Sequence, residues 1–213
     1  MPRSSPQMPK LLAQTAFELF SERGFDEVAI DQIAARAGVT KGSFYSHYRS
    51  KQEIILAACQ YYYQTYQQKV HRAIAPLTDS MERLRRVLEL AVRTCVIDRP
   101  TRVFTTEIFA LSLKDPQVRS GWLQFYNTVR EMYIGLVVAA TAAGQMEVAD
   151  PRAAVNLMLA TIEGVKLRAV FEPEIGDEAE QQAIVEGLLT VLAGGGHGGK
   201  AVPAVRKRKA ASA

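Results

Sequence analysis

A short stretch near the N-terminus places several hydrogen-bond donors on one side of a predicted helix. Positions 40–51 read T-K-G-S-F-Y-S-H-Y-R-S-K. Phe44 and Tyr48 lie four residues apart, so a helix would point both rings into the protein and leave the donors outside. The outward set is Thr40, Lys41, Gly42, Ser43, Tyr45 and His47, with Lys51 just beyond. Hydroxyl, ammonium and imidazole groups suit phosphates and base edges, so the pattern indicates DNA binding.

Gly42 supports this interpretation, because a glycine inside a helix costs ~1 kcal/mol of helix propensity. Without a side chain at this position, the helix backbone can approach DNA closely. A purely structural role stays open, since two helices joined by a glycine turn also occur in proteins that never bind DNA. His47 alone would be an ordinary surface histidine.

The elements on either side would hold this helix in place. Ile33, Ala34 and Ala37 form an apolar stripe, and Gly38 offers the left-handed backbone that ends a helix. Thr40 is a good N-cap for the following helix. The run from Ser50 to Glu53 is a capping box, which would put Lys51 and free amides at a positive helix N-terminus suited to a phosphate.

The segment from about Leu11 to Ile55 resembles the DNA-binding domain of the tetracycline-repressor (TetR) family of transcriptional regulators. The resemblance lies in A-F-E-L-F-S-E-R-G-F-D-E, I-D-Q-I-A-A-R-A-G-V-T-K-G-S-F-Y-S-H-Y and S-K-Q-E-I-I. It implies an all-helical homodimer with a three-helix DNA-binding head and a larger domain that binds a small effector. It further implies repression that the effector relieves, a palindromic operator, and operator contacts from the outward set, with Lys51 on a phosphate.

One position departs from the family pattern. The family often has Ser or Thr before its second helix, whereas this chain has Ala29. A lost hydroxyl cap typically costs ~1 kcal/mol, and Asp31 in the first turn would offset part of it. One phosphate contact expected from the family is therefore in doubt.

Helical periodicity continues along the chain and predicts an all-α fold of about nine helices. Outside the two short helices of the head, the predicted helices are 10–23, 51–74, 79–98, 101–113, 118–143, 150–171 and 177–192. Residues 1–50 are expected to form the N-terminal arm and DNA-binding domain, 51–193 the ligand-binding and dimerisation domain, and 194–213 a flexible tail. The helix at 51–74 would link the two domains as a lever.

The net charge of +4 is concentrated in the tail. Residues 194–213 carry five positive and no acidic residues, so residues 1–193 hold 21 positive against 22 acidic residues, or −1. Solubility, a non-specific tether to DNA and contact with another partner all remain possible roles for the tail. His197 stands alone among glycines and predicts no metal site.

No run of ~20 apolar residues and no secretion signal is present, which predicts a cytoplasmic protein with no membrane partner. The two cysteines, Cys59 and Cys95, are expected to be reduced thiols rather than a disulfide.

Effector-binding candidates are aromatic residues and an acid on apolar helix faces: Tyr62, Tyr66, Phe104, Glu107, Trp122 and Tyr126. Such aromatics also fit an ordinary core, although an apolar pocket with a few hydroxyls is typical of small-molecule sites. Glu107 is predicted to point inward, either as a ligand anchor or paired with Arg99 or Arg102. Glu163 is similar, with Lys166 as a nearby partner.

The last two predicted helices carry apolar faces that would suit a four-helix bundle between two copies. The interface residues expected are Met158, Ile162, Val165, Ile184 and Leu188. An intramolecular core would give the same pattern, and the resemblance favours the dimer.

A helical enzyme and a DNA-binding regulator without a small-molecule sensor are the other candidate functions. A helical enzyme using Glu107, His71 or Cys95 lacks an interpretable catalytic set, a metal-ligand cluster and a phosphate loop, so neither catalysis nor a cofactor is expected. A DNA-binding regulator with a solid body that acts through protein partners remains the alternative.

Overall fold

The computed structural model describes residues 7–194, and nine α-helices fill most of that range without any strand. The helices are α1 (Gln7–Arg23), α2 (Ile30–Arg36), α3 (Lys41–Tyr45), α4 (Lys51–Ile74), α5 (Ser80–Ala91), α6 (Arg99–Ser112), α7 (Pro116–Ala142), α8 (Pro151–Arg168) and α9 (Glu178–Gly194). The all-α prediction is confirmed. The N-terminal arm and the basic residues predicted for the tail lie outside the described range.

The first three helices form the head, and two glycines set its turns. Gly24 ends α1 with a φ of 82°, and its N–H donates to Phe20 O at 2.8 Å. Gly38 follows α2 with a φ of 70°. Both values lie in the left-handed region, which glycine enters without a Cβ penalty. The turn predicted at Gly38 is therefore present.

The fourth helix leaves the head and runs into the remaining helices, the body. Its bounds match the predicted range of 51–74. The Ser50 hydroxyl accepts a hydrogen bond from Glu53 N at 3.2 Å. The Glu53 carboxylate accepts one from Arg49 N at 2.6 Å, one residue earlier than in a standard capping box. The start of α4 is thus capped from both sides.

The segment between α5 and α6 differs from the prediction. A π-helical turn occupies Val92–Ile97, shown by the bond from Asp98 N to Arg93 O at 3.0 Å, which spans five residues. Asp98 then caps α6 by accepting from Thr101 N at 3.0 Å. Pro100, which falls between the predicted helices 79–98 and 101–113, lies in the first turn of α6, where its missing N–H costs nothing.

Two apolar clusters form the core. One lies within the body and joins α4, α5, α7, α8 and α9. The other belongs to the head but also contains Phe104 and Ile108 of α6 and Val118 of α7, all at most 1% exposed. The head is therefore packed directly against α6 as well as joined to α4.

No helix within residues 7–194 is both long and apolar enough to cross a bilayer.

Candidate nucleic-acid interface and ligand cavity

The third helix is anchored by one face and exposed on the other. Phe44 is completely buried, and the Tyr48 hydroxyl, just after the helix, donates to Pro9 O at 3.0 Å. Thr40 caps the helix by accepting from Ser43 N at 3.1 Å. The two faces predicted from the sequence are thus present.

The seven predicted DNA contacts lie together on α3 and its flanks. Four of them are exposed, and three are partly buried. The exposed ones are Thr40, Lys41, Gly42 and Tyr45, and the partly buried ones are Ser43, His47 and Lys51. Tyr45 leaves 44% of its surface open although its ring packs edge-on against Phe44 at 5.6 Å. A large aromatic side chain held outward in this way can contact a partner without reorganisation.

The ammonium of Lys41 has a partner within the head. It lies 2.8 Å from Asp31 Oδ1, in an ion pair with both side chains more than half exposed. The hydrogen bond to Asp31 and its charge raise the pKa of Lys41, so the ammonium stays charged at any pH where DNA is bound. A phosphate would have to compete with Asp31 for this donor.

Gly42 is not required by the packing of the protein itself. A methyl group placed there would have Thr40 Oγ1 at 3.9 Å as its nearest neighbour. The backbone of Gly42 is also free of the positive φ that would demand glycine. The absent side chain therefore leaves open space on the outward face of α3.

The departure at Ala29 is partly compensated. Ala29 has no side-chain cap to offer α2, but its N–H donates to Gln32 Oε1 at 2.8 Å. A full capping box has two hydrogen bonds, and here only the bond from the N-cap amide to the side chain three residues later is present. The helix is held, whereas the hydroxyl that would contact a phosphate is missing.

A small cavity lies inside the body, among α4, the π-helical turn, α6, α7 and α8. Its volume is about 50 Å³. Aromatic residues form most of the wall, joined by Cys95 and by a charged pair on α8. The lining comprises Tyr62, Tyr66, Ala91, Cys95, Thr105, Trp122, Phe125, Tyr126, Val129, Tyr133, Leu159, Ile162, Glu163 and Lys166. An apolar space with a few polar groups is the usual form of a small-molecule site.

Four of the six predicted effector residues line this cavity: Tyr62, Tyr66, Trp122 and Tyr126. Burial raises the pKa of both Tyr62 and Tyr66 far above the usual value, so their phenols remain neutral donors. The Tyr62 hydroxyl lies 3.8 Å from Cys95 Sγ.

The polar side of the cavity is formed by Tyr126, Glu163 and Lys166, of which the sequence did not place Lys166 at a ligand site. Lys166 is 4% exposed and forms an ion pair with Glu163, as the sequence suggested. The Tyr126 hydroxyl donates to the other oxygen of Glu163, and the acid together with burial raises the pKa of Tyr126. The sequence does contain a sign that Lys166 is buried: it lies four residues after Ile162, on a helix face that is otherwise apolar.

The remaining two effector candidates require correction. Phe104 is fully buried in the cluster shared with the head and does not line the cavity. Glu107 points at the head instead: its carboxylate accepts from Phe25 N at 3.4 Å and lies 3.3 Å from where a Cβ on Gly24 would be. The expected pairing with Arg102 is absent from the described residues, because that guanidinium donates to Val96 O at 2.7 Å.

Tyr62 connects the cavity to the head. Its ring stacks on Phe17 of α1, with centroids 5.8 Å apart and planes inclined by 19°. Phe104 contacts both rings, at 4.8 Å from Phe17 and 5.9 Å from Tyr62. A displacement of Tyr62 by a ligand would therefore reach α1 through direct ring contacts.

The single chain shows which of the five predicted interface residues are accessible. Met158, Ile162 and Leu188 are at most 6% exposed, so they belong to the core of the protomer. Val165 and Ile184 are only partly buried, although they pack on the same core, and their place in an interface stays a prediction. Periodicity alone does not distinguish the two apolar sides of a helix in a bundle.

Residues 7–194 contain no group of three His, Cys, Asp or Glu side chains that could hold a metal ion. Cys59 and Cys95 are free thiols, and burial raises the pKa of both.

Both halves of the chain match known families. Residues 12–58 match the family model described as bacterial regulatory proteins of the tetR family. Residues 80–194, more than half of the chain, match the model described as the C-terminal part of BetI-type transcriptional repressors.

Two curated relatives share the N-terminal part. The HTH-type transcriptional regulator YerO of Bacillus subtilis is 41% identical over 51 residues, which are 24% of this chain and 18% of YerO. The HTH-type transcriptional activator FasR of Mycolicibacterium smegmatis is 37% identical over 89 residues, which are 42% of this chain and 40% of FasR. The matched part of the chain thus spans less than half the length of each.

The fold extends the likeness to nearly the whole chain. A transcriptional regulator from Saccharomonospora viridis, solved in complex with choline, superposes with a TM-score of 0.76 over 87% of this chain and 95% of that one, at 19% identity. Together with the two family matches, the helix-turn-helix head and the helical body lead to one identification. The chain belongs to the TetR family of DNA-binding transcriptional regulators, with a C-terminal domain of the BetI type.

Proposed function

We propose that this regulator is a cytoplasmic repressor whose binding to a palindromic operator is released by a small molecule. The observation that carries the DNA-binding part is α3 itself. Its donors face outward over the completely buried Phe44, and Gly42 leaves open space between them. This face offers hydrogen bonds to base edges and phosphates without any change in the packing of the head.

The body would act as the sensor. We assign residues 1–50 to the DNA-binding domain and 51–193 to the ligand-binding and dimerisation domain, joined by α4. A ligand that prefers a conformation with wrongly spaced heads lowers operator affinity by its differential affinity for the two conformations. The cavity and the contact between Tyr62 and Phe17 support this route. The Saccharomonospora viridis regulator holds choline, which supports ligand binding by this fold but does not identify the ligand of this chain.

A homodimer would supply the two-fold symmetry that a palindromic operator requires. We propose that the outward side of α8 and α9 forms its interface, in place of the inward residues expected from sequence. On α8, Leu157 is 53% exposed, and Ala160 and Gly164 beside it are exposed small residues. Small residues let helices of two copies approach closely.

The DNA-binding proposal is tested by selecting bound sequences from a random pool of duplexes. We expect a palindromic sequence to be enriched. Lys41→Ala and Tyr45→Ala should each weaken its binding by on the order of 1–3 kcal/mol. Lys69→Ala, an exposed change on α4, is the matched control and should leave binding unchanged. Wild-type affinity in both head variants would refute the assignment of α3.

A second candidate is a regulator that senses no small molecule and acts through protein partners. The cavity volume of about 50 Å³ favours it, because that space holds only a few water molecules in this conformation. A compound that raises the melting temperature and lowers operator affinity would support the sensor. Release by the compound would identify a repressor, and tighter operator binding an activator.

A further inference from the structure

The inner cavity adjoins a second, larger space on the surface. This groove lies among α6, α7 and α8 and has a volume of about 390 Å³. Trp122, Tyr126, Glu163 and Lys166 line both spaces. These four side chains form the wall between groove and cavity, which we call the shared wall. A molecule in the groove would therefore contact the same polar groups that face the cavity.

Lys166 in the shared wall has spare hydrogen-bonding capacity. Its ammonium has three N–H donors, and Glu163 is its single partner within residues 7–194. The side chain is 4% exposed, so water does not readily take the other donors. An acceptor brought by a ligand would satisfy them.

Two further polar atoms beside the shared wall lack partners. The Tyr133 hydroxyl, in a side chain 1% exposed, lines the cavity without a well-formed hydrogen bond, although the Tyr66 hydroxyl lies close enough to affect its pKa. Arg130 Nε on the groove side is also buried and unpaired. Arg130 can only donate, and Tyr133 can donate to a carboxylate. The unsatisfied groups therefore favour an acceptor-rich ligand.

The charges of the groove favour an anion. Arg119, Arg130 and Lys166 contribute three positive charges and Glu163 one negative charge, a formal sum of +2. Aromatic rings such as Trp122 would also suit a quaternary ammonium. Here, however, the buried ammonium of Lys166 lines the same groove and would repel a second cation.

Much of the remaining lining of the groove is apolar and exposed. The exposed apolar side chains are Phe109 (60%), Leu113 (69%), Leu123 (55%) and Leu167 (54%). Apolar side chains clustered in this way mark a binding surface more often than an ordinary one.

We propose that the groove binds an amphipathic carboxylate, with its anionic group on Lys166 and its apolar part along Phe109, Leu113 and Leu123. The carboxylate takes the donors that Glu163 leaves free and competes with Glu163 for the ammonium. Glu163, released from Lys166, can then move together with Tyr126, which donates to it, and this movement opens the shared wall toward Tyr62. This assignment rests on the proposed function as a ligand-responsive regulator and names the chemical class of its ligand.

Three probes with the same chain length and different head groups test the ligand class: octanoate, 1-octanol and octyltrimethylammonium. Trp122 is the single tryptophan, so its fluorescence reports directly on the shared wall. We expect octanoate to bind more tightly than the other two by about tenfold or more. Equal or tighter binding of the alcohol or the ammonium overturns the proposal, as does the absence of octanoate binding.

Lys166→Met keeps the length of the side chain and removes its charge, so the preference for octanoate over 1-octanol should disappear. Lys69→Met makes the same change on the exposed side of α4 and should keep that preference. If Lys166→Met does not fold, Arg130→Gln gives an independent test, because it removes a positive charge that lines the groove and should weaken only octanoate. An unchanged preference in a folded Lys166→Met or in Arg130→Gln contradicts the site.

Measuring operator affinity with the same probes distinguishes a wrong ligand class from a wrong regulator function. If octanoate does not bind but another compound releases DNA, only the ligand class is wrong. If octanoate binds through Lys166 and leaves operator affinity unchanged, the site stands and the sensing function is wrong.

Discussion

At Gly42 the proposed DNA contact and the stability of the helix are opposed. Glycine is a poor helix former, and nothing in the head requires it at this position, since an added Cβ would meet no atom closer than 3.9 Å. We propose that the missing methyl group allows α3 to approach DNA closely. Stability and DNA affinity should respond in opposite directions when it is added.

Gly42→Ala should raise the free energy of unfolding by about 0.5 kcal/mol through helix propensity, and it should weaken operator binding. Urea denaturation and a DNA titration measure the two effects. Gly135→Ala, on the exposed side of α7 with no atom within 4 Å of the added Cβ, is the control. It should be equally stabilising without changing DNA affinity. Equal or tighter DNA binding by Gly42→Ala would show that α3 does not approach DNA at this residue.

Asp31 is a residue whose contact in the free head should weaken DNA binding. Its carboxylate holds the Lys41 ammonium and repels a phosphate nearby. Asp31→Asn should therefore tighten DNA binding at low salt by roughly 0.2–1 kcal/mol, the usual range for an exposed ion pair, and the gain should shrink as salt is added.

Asp177→Asn makes the same change in net charge on an exposed residue next to α9, so it separates a local effect from a general one. A titration of both variants at two salt concentrations decides between them. The same gain in both would mean that Asp31 acts only through net charge.

Among the helices, α6 contacts both the head and the inner cavity. Thr105 lines the cavity, Phe104 contacts the ring of Phe17, and Glu107 accepts from the Phe25 amide in the turn after α1. A shift of α6 would therefore be transmitted to the head by direct contacts, independently of α4. The sequence predicted ligand-binding residues Phe104 and Glu107 on α6, whereas in the structure these two residues connect the body to the head.

Glu107→Ala should lower the free energy of unfolding by about 1 kcal/mol, since the partly buried Phe25 amide loses its acceptor. Glu107→Gln keeps an acceptor oxygen and should retain most of that stability. Hydrogen exchange at the Phe25 amide measures the local effect and should speed up only in the alanine variant. If the two variants exchange at the wild-type rate, the contact does not hold the turn.

Local signals explain which elements were predictable from sequence. The bounds of α4 followed from Ser50 and Glu53 at one end and Pro76 beyond the other, because caps and prolines act within a few residues. The outward face of α3 was predictable for the same reason. Contacts between distant residues were not, as with Glu107 and Phe25, which lie 82 positions apart.

The residues of a dimer surface could not be assigned from sequence for a related reason. Met158 and Leu188 lie on faces that are apolar in either a core or an interface, and only the packed chain shows which faces are already covered. Lys166 was missed as a cavity residue because a lysine on a helix is usually exposed.

The whole molecule buries many weak acids, and its stability should depend on pH accordingly. Burial raises the pKa of the thiols of Cys59 and Cys95 and of the phenols of Tyr62 and Tyr66 above their usual values. A raised pKa in the folded protein favours the protonated form. The resulting stability is present below the unfolded pKa, about 8.5 for a thiol and about 10 for a phenol, and is lost as pH rises beyond it.

The free energy of unfolding should therefore fall between pH 8 and pH 10, by at most about 1.4 kcal/mol per pH unit for each thiol and less where the thiol is partly exposed. Urea denaturation at several pH values measures the fall. The double variant Cys59→Ala and Cys95→Ala should show a shallower fall between pH 8.5 and 9.5. A wild-type protein equally stable at pH 7.5 and 9.5 would contradict the prediction.

The π-helical turn at Val92–Ile97 makes the cavity sensitive to the number of residues in the chain. A π-helical turn holds one residue more than the α-helical turn it replaces. Deleting one residue there would restore regular hydrogen bonding and rotate the preceding helix relative to α6 by about 100°. Cys95 would then leave the cavity wall without any substitution. Single-residue insertion or deletion at this position is thus a route by which relatives of this chain can acquire differently shaped sites.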